Sequence, residues 1–341
     1  MNRTLPRFLV LSSLGVFATS VSANTVFDTI DLDFSGQLRV STDYLYDGND
    51  GGLNASSNAS RLGLNVSHAI NENLTVIGKV EKQIDLSEGS GSFGSRDTFL
   101  GLRGNFGTLR VGYMTSPTMA MLSAVEEFRD RVGDGRNMLR RGAMNLDRRY
   151  RNAVHYQTPN LNGLVWAVHY GTNEAGGATV DNEQDMLGTS LTYKTGEWTF
   201  AAGYQQDNRN LGETIKGTRF SAIRQGDGWR VAGIVQRVDG LAEGDMNGWL
   251  LTGRYQYSEK VWLRAQVGAR SYDQQDNESQ LITVGFDRNF TSQFTWYGMF
   301  TMTQNDDAAV ASVTEGGYGK NLVVVPGEDP FAVSSGFIFK F

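Results

Sequence analysis

Apolar and polar residues alternate with a period of two along most of this chain. Between Phe34 and Tyr44, the residues Phe34, Leu38, Val40 and Tyr44 share one parity, while Ser35, Gln37, Arg39, Ser41 and Asp43 share the other. A β-strand sends those two sets to opposite faces. The pattern returns with Leu62, Leu64 and Val66 against Arg61, Asn65 and Ser67, and with Trp198, Phe200, Ala202 and Tyr204 against Thr199 and Gln205. Later, Val261, Leu263, Ala265 and Val267 oppose Trp262, Arg264 and Gln266, and the final run sets Phe331, Val333, Phe337, Phe339 and Phe341 against Ala332, Ser334, Ile338 and Lys340. About sixteen such segments occur, each near the length of a tilted membrane strand.

The connections alternate too. Short turns rich in Asn, Gly and Asp (Ile70–Asn73, Asn105–Gly107, Pro159–Gly163, Lys194–Glu197, Gln225–Gly228, Ser258–Lys260) punctuate longer polar segments. The latter are Asp47–Ser57, Asp85–Gly94, Gly171–Glu183, Gln206–Glu213, Asp239–Asp245, Asp273–Glu278 and Gln304–Asp329. Short turns at one end and long loops at the other are the plan of a transmembrane antiparallel β-barrel. Pro117, Pro159, Pro326 and Pro330 fall at strand ends or in loops, where no ladder donor is lost. Tyr44, Tyr46, Tyr156, Tyr170, Trp198, Tyr204, Trp249 and Tyr257 recur near segment ends, as aromatic girdles do at the two membrane interfaces. A soluble β-sandwich also alternates, but has neither so many strands nor such girdles.

Composition alone suggests an ordinary soluble protein, with 40% hydrophobic residues and no Cys. The N-terminus changes that picture. Arg3 and Arg7 precede an apolar run from Phe8 to Phe17 and the small-residue end Val21-Ser22-Ala23, so residues 1–23 read as a cleaved export signal and 24–341 as the barrel domain. Its loss removes two of 31 basic residues and none of 37 acidic ones, making an acidic chain more so and disfavouring nucleic acid as a partner. Without cysteines, stability must come from a complete hydrogen-bond ladder.

Three stretches carry a family resemblance: Phe99-Leu100-Gly101-Leu102-Arg103-Gly104-Asn105-Phe106-Gly107-Thr108-Leu109-Arg110-Val111-Gly112, Arg151-Asn152-Ala153-Val154-His155-Tyr156-Gln157-Thr158-Pro159-Asn160-Leu161-Asn162-Gly163, and Val284 to Tyr297. They resemble the general porins of Gram-negative bacteria, and the likeness covers nearly all of the mature chain. It implies a trimer of sixteen-stranded barrels in the outer membrane, in contact with lipid and lipopolysaccharide, that passes ions and small hydrophilic solutes without a cofactor. The terminal Phe341, with Phe337 and Phe339 on its parity, is similar to the signal by which the outer-membrane assembly machinery recognises such chains. Two departures concern selectivity: Tyr113 stands where many relatives carry a base, and Arg136–Arg151 is unusually rich in Arg.

The connection from about residue 114 to 148 is the longest, and by the same resemblance it is the loop that folds inward and narrows the pore. Met119, Leu122, Val125 and Phe128 have helical spacing within it. Its acids are Glu126, Glu127, Asp130 and Asp134. The following strand sets Arg149, Arg151 and His155 on the parity opposite Val154 and Tyr156, which points them into the lumen. Lumen-parity bases elsewhere include Arg39, Arg61, Lys79, Arg103, Arg110 and Arg264, and strand acids on that parity are few. Acids on the loop facing bases on the wall predict a transverse field across the constriction, and the basic wall predicts a weak preference for anions.

Catalysis and metal chemistry have little to stand on. The three histidines are His68, His155 and His169, with no Cys and no zinc-site spacing. His155 and His169 flank one short turn and share lumen parity, which leaves a diagonal contact open to them. A substrate-selective porin and a non-conducting adhesin or receptor barrel remain the competing readings.

Overall fold

A computed structural model describes residues 30–88, 94–140, 146–172, 184–208, 214–242, 244–273 and 276–341. The expected export signal lies outside these residues. The strands are β1 (Ile30–Tyr46), β2 (Gly51–Ser57), β3 (Arg61–Asn71), β4 (Leu74–Gln83), β5 (Gly94–Gly104), β6 (Gly107–Thr115), β7 (Arg149–Gln157), β8 (Leu164–Gly171) and β9 (Met186–Thr195). They continue with β10 (Trp198–Asp207), β11 (Ile215–Gly226), β12 (Trp229–Asp239), β13 (Met246–Ser258), β14 (Val261–Tyr272), β15 (Ser279–Asn289), β16 (Phe294–Asn305) and β17 (Phe331–Lys340). Two helices, α1 (Pro117–Val125) and α2 (Arg136–Leu139), lie between β6 and β7.

Apart from β2 and β3, which both pair with β1, consecutive strands pair antiparallel, and β1 pairs with β17 from Gln37↔Lys340 to Tyr46↔Phe331, which closes the sheet on itself. Closure removes every edge, the condition a sheet must meet in hydrocarbon. The fold is a sixteen-stranded barrel because β2 and β3 act in tandem: Val40–Tyr46 of β1 pairs with β2, and Ile30–Gln37 with β3. The break between them is at Ala59, in the left-handed region at φ 50°. There Ser60 Oγ accepts from Arg39 N at 2.9 Å and donates to Arg39 O at 3.0 Å, which replaces the missing ladder bonds.

The period-two reading of the faces holds along β1, where Gln37, Arg39, Ser41 and Asp43 are buried and Phe34, Val40 and Tyr44 are exposed on the outer wall. Two expected loops behave differently. Asp47–Asp50 forms a tight turn whose Asp47 carboxylate accepts from the N–H groups of Asn49 and Asp50, and the rest of the segment returns as β2. A Gly-, Asn- and Ser-rich strand lacks the apolar parity that marks its neighbours, yet backbone pairing does not need it. The segment between β16 and β17, expected outside the barrel, runs inward: Ala309, Ala311 and Val313 are fully buried. The run Ala308-Ala309-Val310-Ala311-Ser312-Val313 gives that stretch its apolar surface to bury.

The C-terminus completes the outer wall. Phe337, Phe339 and Phe341 all face outward, about half exposed, and Phe341 exchanges backbone hydrogen bonds with Gly36 at 2.7 and 3.1 Å. The Phe341 ring occupies the space that a Cβ on Gly36 would need. Gly36→Val is therefore expected to unseat that ring and cost about 1–3 kcal/mol through overpacking, while the pore, on the other face, keeps its conductance. Urea unfolding in lipid vesicles followed by tryptophan fluorescence, alongside bilayer recordings, checks both parts.

Candidate functional site: the loop-lined constriction

The described residues between β6 and β7, 116–140 and 146–148, turn into the barrel because both their apolar and their charged side chains find partners on the inner wall. Helix α1 starts at Ser116, whose hydroxyl accepts from Met119 N at 3.2 Å, with Pro117 in the first turn. Its Met121, Leu122 and Val125 join Met138 and Leu139 of α2 against Ala232, Ile234, Leu250 and Leu281 of the wall. Phe128 and Val132 meet Leu45, Tyr297 and Met299 on another side. Each fully buried large side chain contributes about 1.5–3 kcal/mol. Gly133 makes a close approach that no side chain allows: a Cβ there would collide with the hydroxyls of Thr283 and Thr301, and its φ of 64° is left-handed.

The loop acids serve as clamps. Glu127 is ion-paired with Arg230 at 2.6 Å and with Arg264, and Arg254 lies at 3.6 Å, so one carboxylate gathers arginines from β12, β13 and β14. Arg264 also reaches Asp287 at 2.7 Å, which in turn takes Arg131 of the loop at 2.7 Å. Asp130 pairs with Arg136 at 2.6 Å and lies 3.7 and 3.8 Å from Arg39 and Arg61. Burial alone would raise the Asp130 carboxyl, but Arg136, Arg39 and Arg129 hold it well below the usual carboxylate range. Asp134 binds Arg136, and Glu126 accepts from Gly135 N. Burial, followed by the charge of Asp134, pushes Glu126 well above an ordinary glutamate.

Asp147 and Arg219 form a bidentate pair at 2.5 and 2.7 Å with both side chains fully buried. Arg219 also donates to Thr118 O at 2.9 Å, so the two ends of the loop are tied to one wall residue.

The transverse arrangement expected from sequence, loop acids across a gap from wall bases, is thus replaced by direct contact. A buried carboxylate needs a partner within reach, and the wall arginines supply it. A polar cavity of about 240 Å³ lies between the loop and the wall, and it is lined by Arg96, Arg129, Arg136, Arg140, Arg148 and Arg149. Its acids are Asp130, already paired with Arg136, and Asp147, paired with Arg219. Arg96 bonds Glu81 and Arg149 bonds Asp97, each at 2.5 Å, whereas the guanidinium groups of Arg129 and Arg140 make no ion pair among the described residues.

Of the other expected wall bases, Arg39 is buried, and Arg61, Lys79 and Arg110 are partly buried on the lumen side; Arg103 is exposed beside the turn to β6. The parity drawn through Arg149, Arg151 and His155 is broken by Asn152, whose φ of 46° marks a bulge where the β6–β7 register shifts. Tyr150 is buried instead, donating to Asp207 at 2.9 Å, and Arg151 is exposed. His155 and His169 stand directly opposite one another rather than diagonally, with their Nδ1 atoms 3.2 Å apart. No group of three or more metal-ligating side chains occurs among the described residues.

Sequence reasoning missed the last loop as a wall of the constriction. Gly316, Gly317 and Tyr318 line the same cavity as Met119 of α1. Gly133 N donates to Val313 O at 2.7 Å and Glu315 N to Asn137 at 2.9 Å, which joins the two inward loops. Tyr318 donates to buried Asp43 at 2.5 Å and accepts from Asn54 at 2.9 Å, which anchors the loop to β1 and β2. A signal for the covered wall was present: Val231–Val235, Trp249–Leu251 and Leu281–Ile282 are apolar on both parities, as strands buried on both faces are.

Comparisons with known proteins agree with this geometry. The family model described as Gram-negative porin matches residues 10–308. Outer membrane porin protein 32 of Delftia acidovorans is 25% identical over 330 residues, 91% of each chain. Among solved structures, the anion-selective porin from Comamonas acidovorans superposes with a TM-score of 0.81 at 22% identity, covering 92% of this chain and all of that one. A trimer form of the Vibrio cholerae outer-membrane protein OmpT gives 0.67 at 17% identity, over 92% of this chain and all of that one.

Two substitutions test the clamps. Asp147→Ala leaves Arg219 buried and unpaired and is expected to cost about 3–5 kcal/mol, read as a lower urea midpoint. Tyr318→Phe removes the donor to Asp43, releases the last loop from β1 and raises single-channel conductance. Unchanged conductance would mean that the loop is held by its other contacts alone.

Proposed function

This chain belongs to the Gram-negative porins, outer-membrane channels for small solutes, and from that premise we propose that its pore prefers anions and that its size is set by two inward loops together. The observation that carries this reading is the composition of the constriction: six arginines line it, and both of its acids are already ion-paired. Rings of arginine favour anion passage, and a narrow low-dielectric opening concentrates their field. The anion-selective porin of the same fold is a precedent for such a channel. Passage is passive: solutes that shed little hydration and carry carboxylate or phosphate exchange water for guanidinium contacts at the narrowest point, then leave. We also propose a homotrimer, for which the trimeric neighbour of the same fold is the support.

Planar-bilayer recordings under a KCl gradient provide the test. The reversal potential is expected to take the sign of chloride preference, and Arg129→Gln with Arg140→Gln is expected to move it toward zero. Because salt shortens the screening length from about 10 Å at 0.1 M to about 3 Å at 1 M, the preference should weaken as KCl rises. A potential of the opposite sign in the unmodified protein would overturn the reading.

A further inference from the structure

The geometry points to a glycerophospholipid site on the outer wall of β9–β13, a reading that rests on the membrane-embedded barrel described above. Phe200, Ala222, Gly233 and Leu251 stand side by side across four strands on the lipid-facing surface. Ala222, Gly233 and, one row further on, Ala202 form the floor of a trough of about 730 Å³. Its rim is aromatic and branched, with Phe220, Val235 and Trp249 about half exposed. The volume is in the range of small-molecule pockets, about 300–1,000 Å³, and the lining is almost wholly apolar.

A charged group marks one end of this trough. Arg224 lies two residues beyond Ala222 on the same face of β11, about 7 Å further along the strand. Its guanidinium carbon is 5.4 Å from the centre of the Trp198 ring and 5.5 Å from that of Trp229. Nε bonds Glu197 at 3.2 Å in a half-exposed pair, which contributes little. The two terminal nitrogens have no partner among the described residues. All three residues sit beside the short turns, which face the periplasm in this architecture. Tryptophans at that level mark the membrane interface, and an arginine with free terminal nitrogens offers a bidentate seat for phosphate. A phospholipid of the periplasmic leaflet meets both features at once: phosphate against Arg224, and one acyl chain along Ala222, Gly233 and Ala202 toward the midplane. A second protein subunit would have to bring an acid to the hydrocarbon edge to do the same.

The test is native mass spectrometry of lipid-stripped protein in detergent, titrated with phosphatidylglycerol. One lipid per chain is expected to bind ahead of the rest, and Arg224→Ala is expected to weaken it about tenfold, the loss of one charge-assisted contact. Gly233→Leu fills the trough and should do likewise. A Cβ at Gly233 meets nothing nearer than 3.7 Å, so the barrel accommodates the change. Glu197→Gln frees Nε and should tighten binding. Single-channel conductance is expected to stay at the unmodified value in all three, since none faces the lumen; a silent unmodified protein would instead count against the channel reading itself. Titrations of Arg224→Ala and Gly233→Leu that match the unmodified chain overturn the proposal. Dissociation of the oligomer by those variants with lipid binding intact also overturns it, and assigns the trough to a subunit contact.

Discussion

Hydrocarbon offers no hydrogen-bond partner to a peptide group, and that constraint governs everything else in this molecule. It forces the ladder to close, which here is the pairing of β1 with β17. Once closed, each strand has one face in lipid and one in the lumen, and residue parity becomes residue environment. Two irregularities among the described residues, the break at Ala59 and the bulge at Asn152, bring unusual residues into the interior. The first sets Asn58 where Gly319 of the last loop donates to it and Ser60 against the Arg39 backbone; the second buries Tyr150 beside Met114 at the start of the constriction loop.

The lumen then imposes its own condition, that charge carried into a narrow space must be matched. Glu127, Asp130, Asp134 and Asp147 enter on a loop that packs apolar side chains against the wall, and each carboxylate lands within reach of an arginine. Pairing removes the acids from the account of the pore. The chain is acidic overall, but the polar cavity between loop and wall is lined by six arginines and two acids, both acids are ion-paired, and Arg129 and Arg140 make no ion pair among the described residues. Removing one partner of such a pair leaves a buried charge, so anchoring and selectivity are coupled through the same residues.

The last loop shows how a second segment can share this role without any charged anchor of its own in the core. Ala311 and Val313 bury apolar surface with residues of the first inward loop, and Tyr318 makes the polar attachment to Asp43. Small residues at Gly316 and Gly317 allow the backbone to lie against Asp134 and Asp130, where any Cβ would clash. The constriction is therefore a product of two loops and one wall.

Barrel and strand number were legible in the sequence, because a period of two along one strand is a local property that survives whatever the strand pairs with. Phe34 to Tyr44 declares its two faces without reference to any other residue. The long connection was legible by its length and its helix by the spacing of Met119, Leu122 and Val125, while its inward path was implied by the family resemblance alone. The partners were not. Arg230, Arg254 and Arg264 lie more than 100 positions from Glu127, and only the curvature of the closed sheet brings them to one carboxylate. The same holds for Tyr318 and Asp43, at opposite ends of the chain, and for Arg151, whose direction was reversed by a single left-handed residue. Alternation along a strand is short-range and written in residue type, whereas which charges meet across a lumen depends on strand register, bulges and the path of a loop, which only the folded barrel decides.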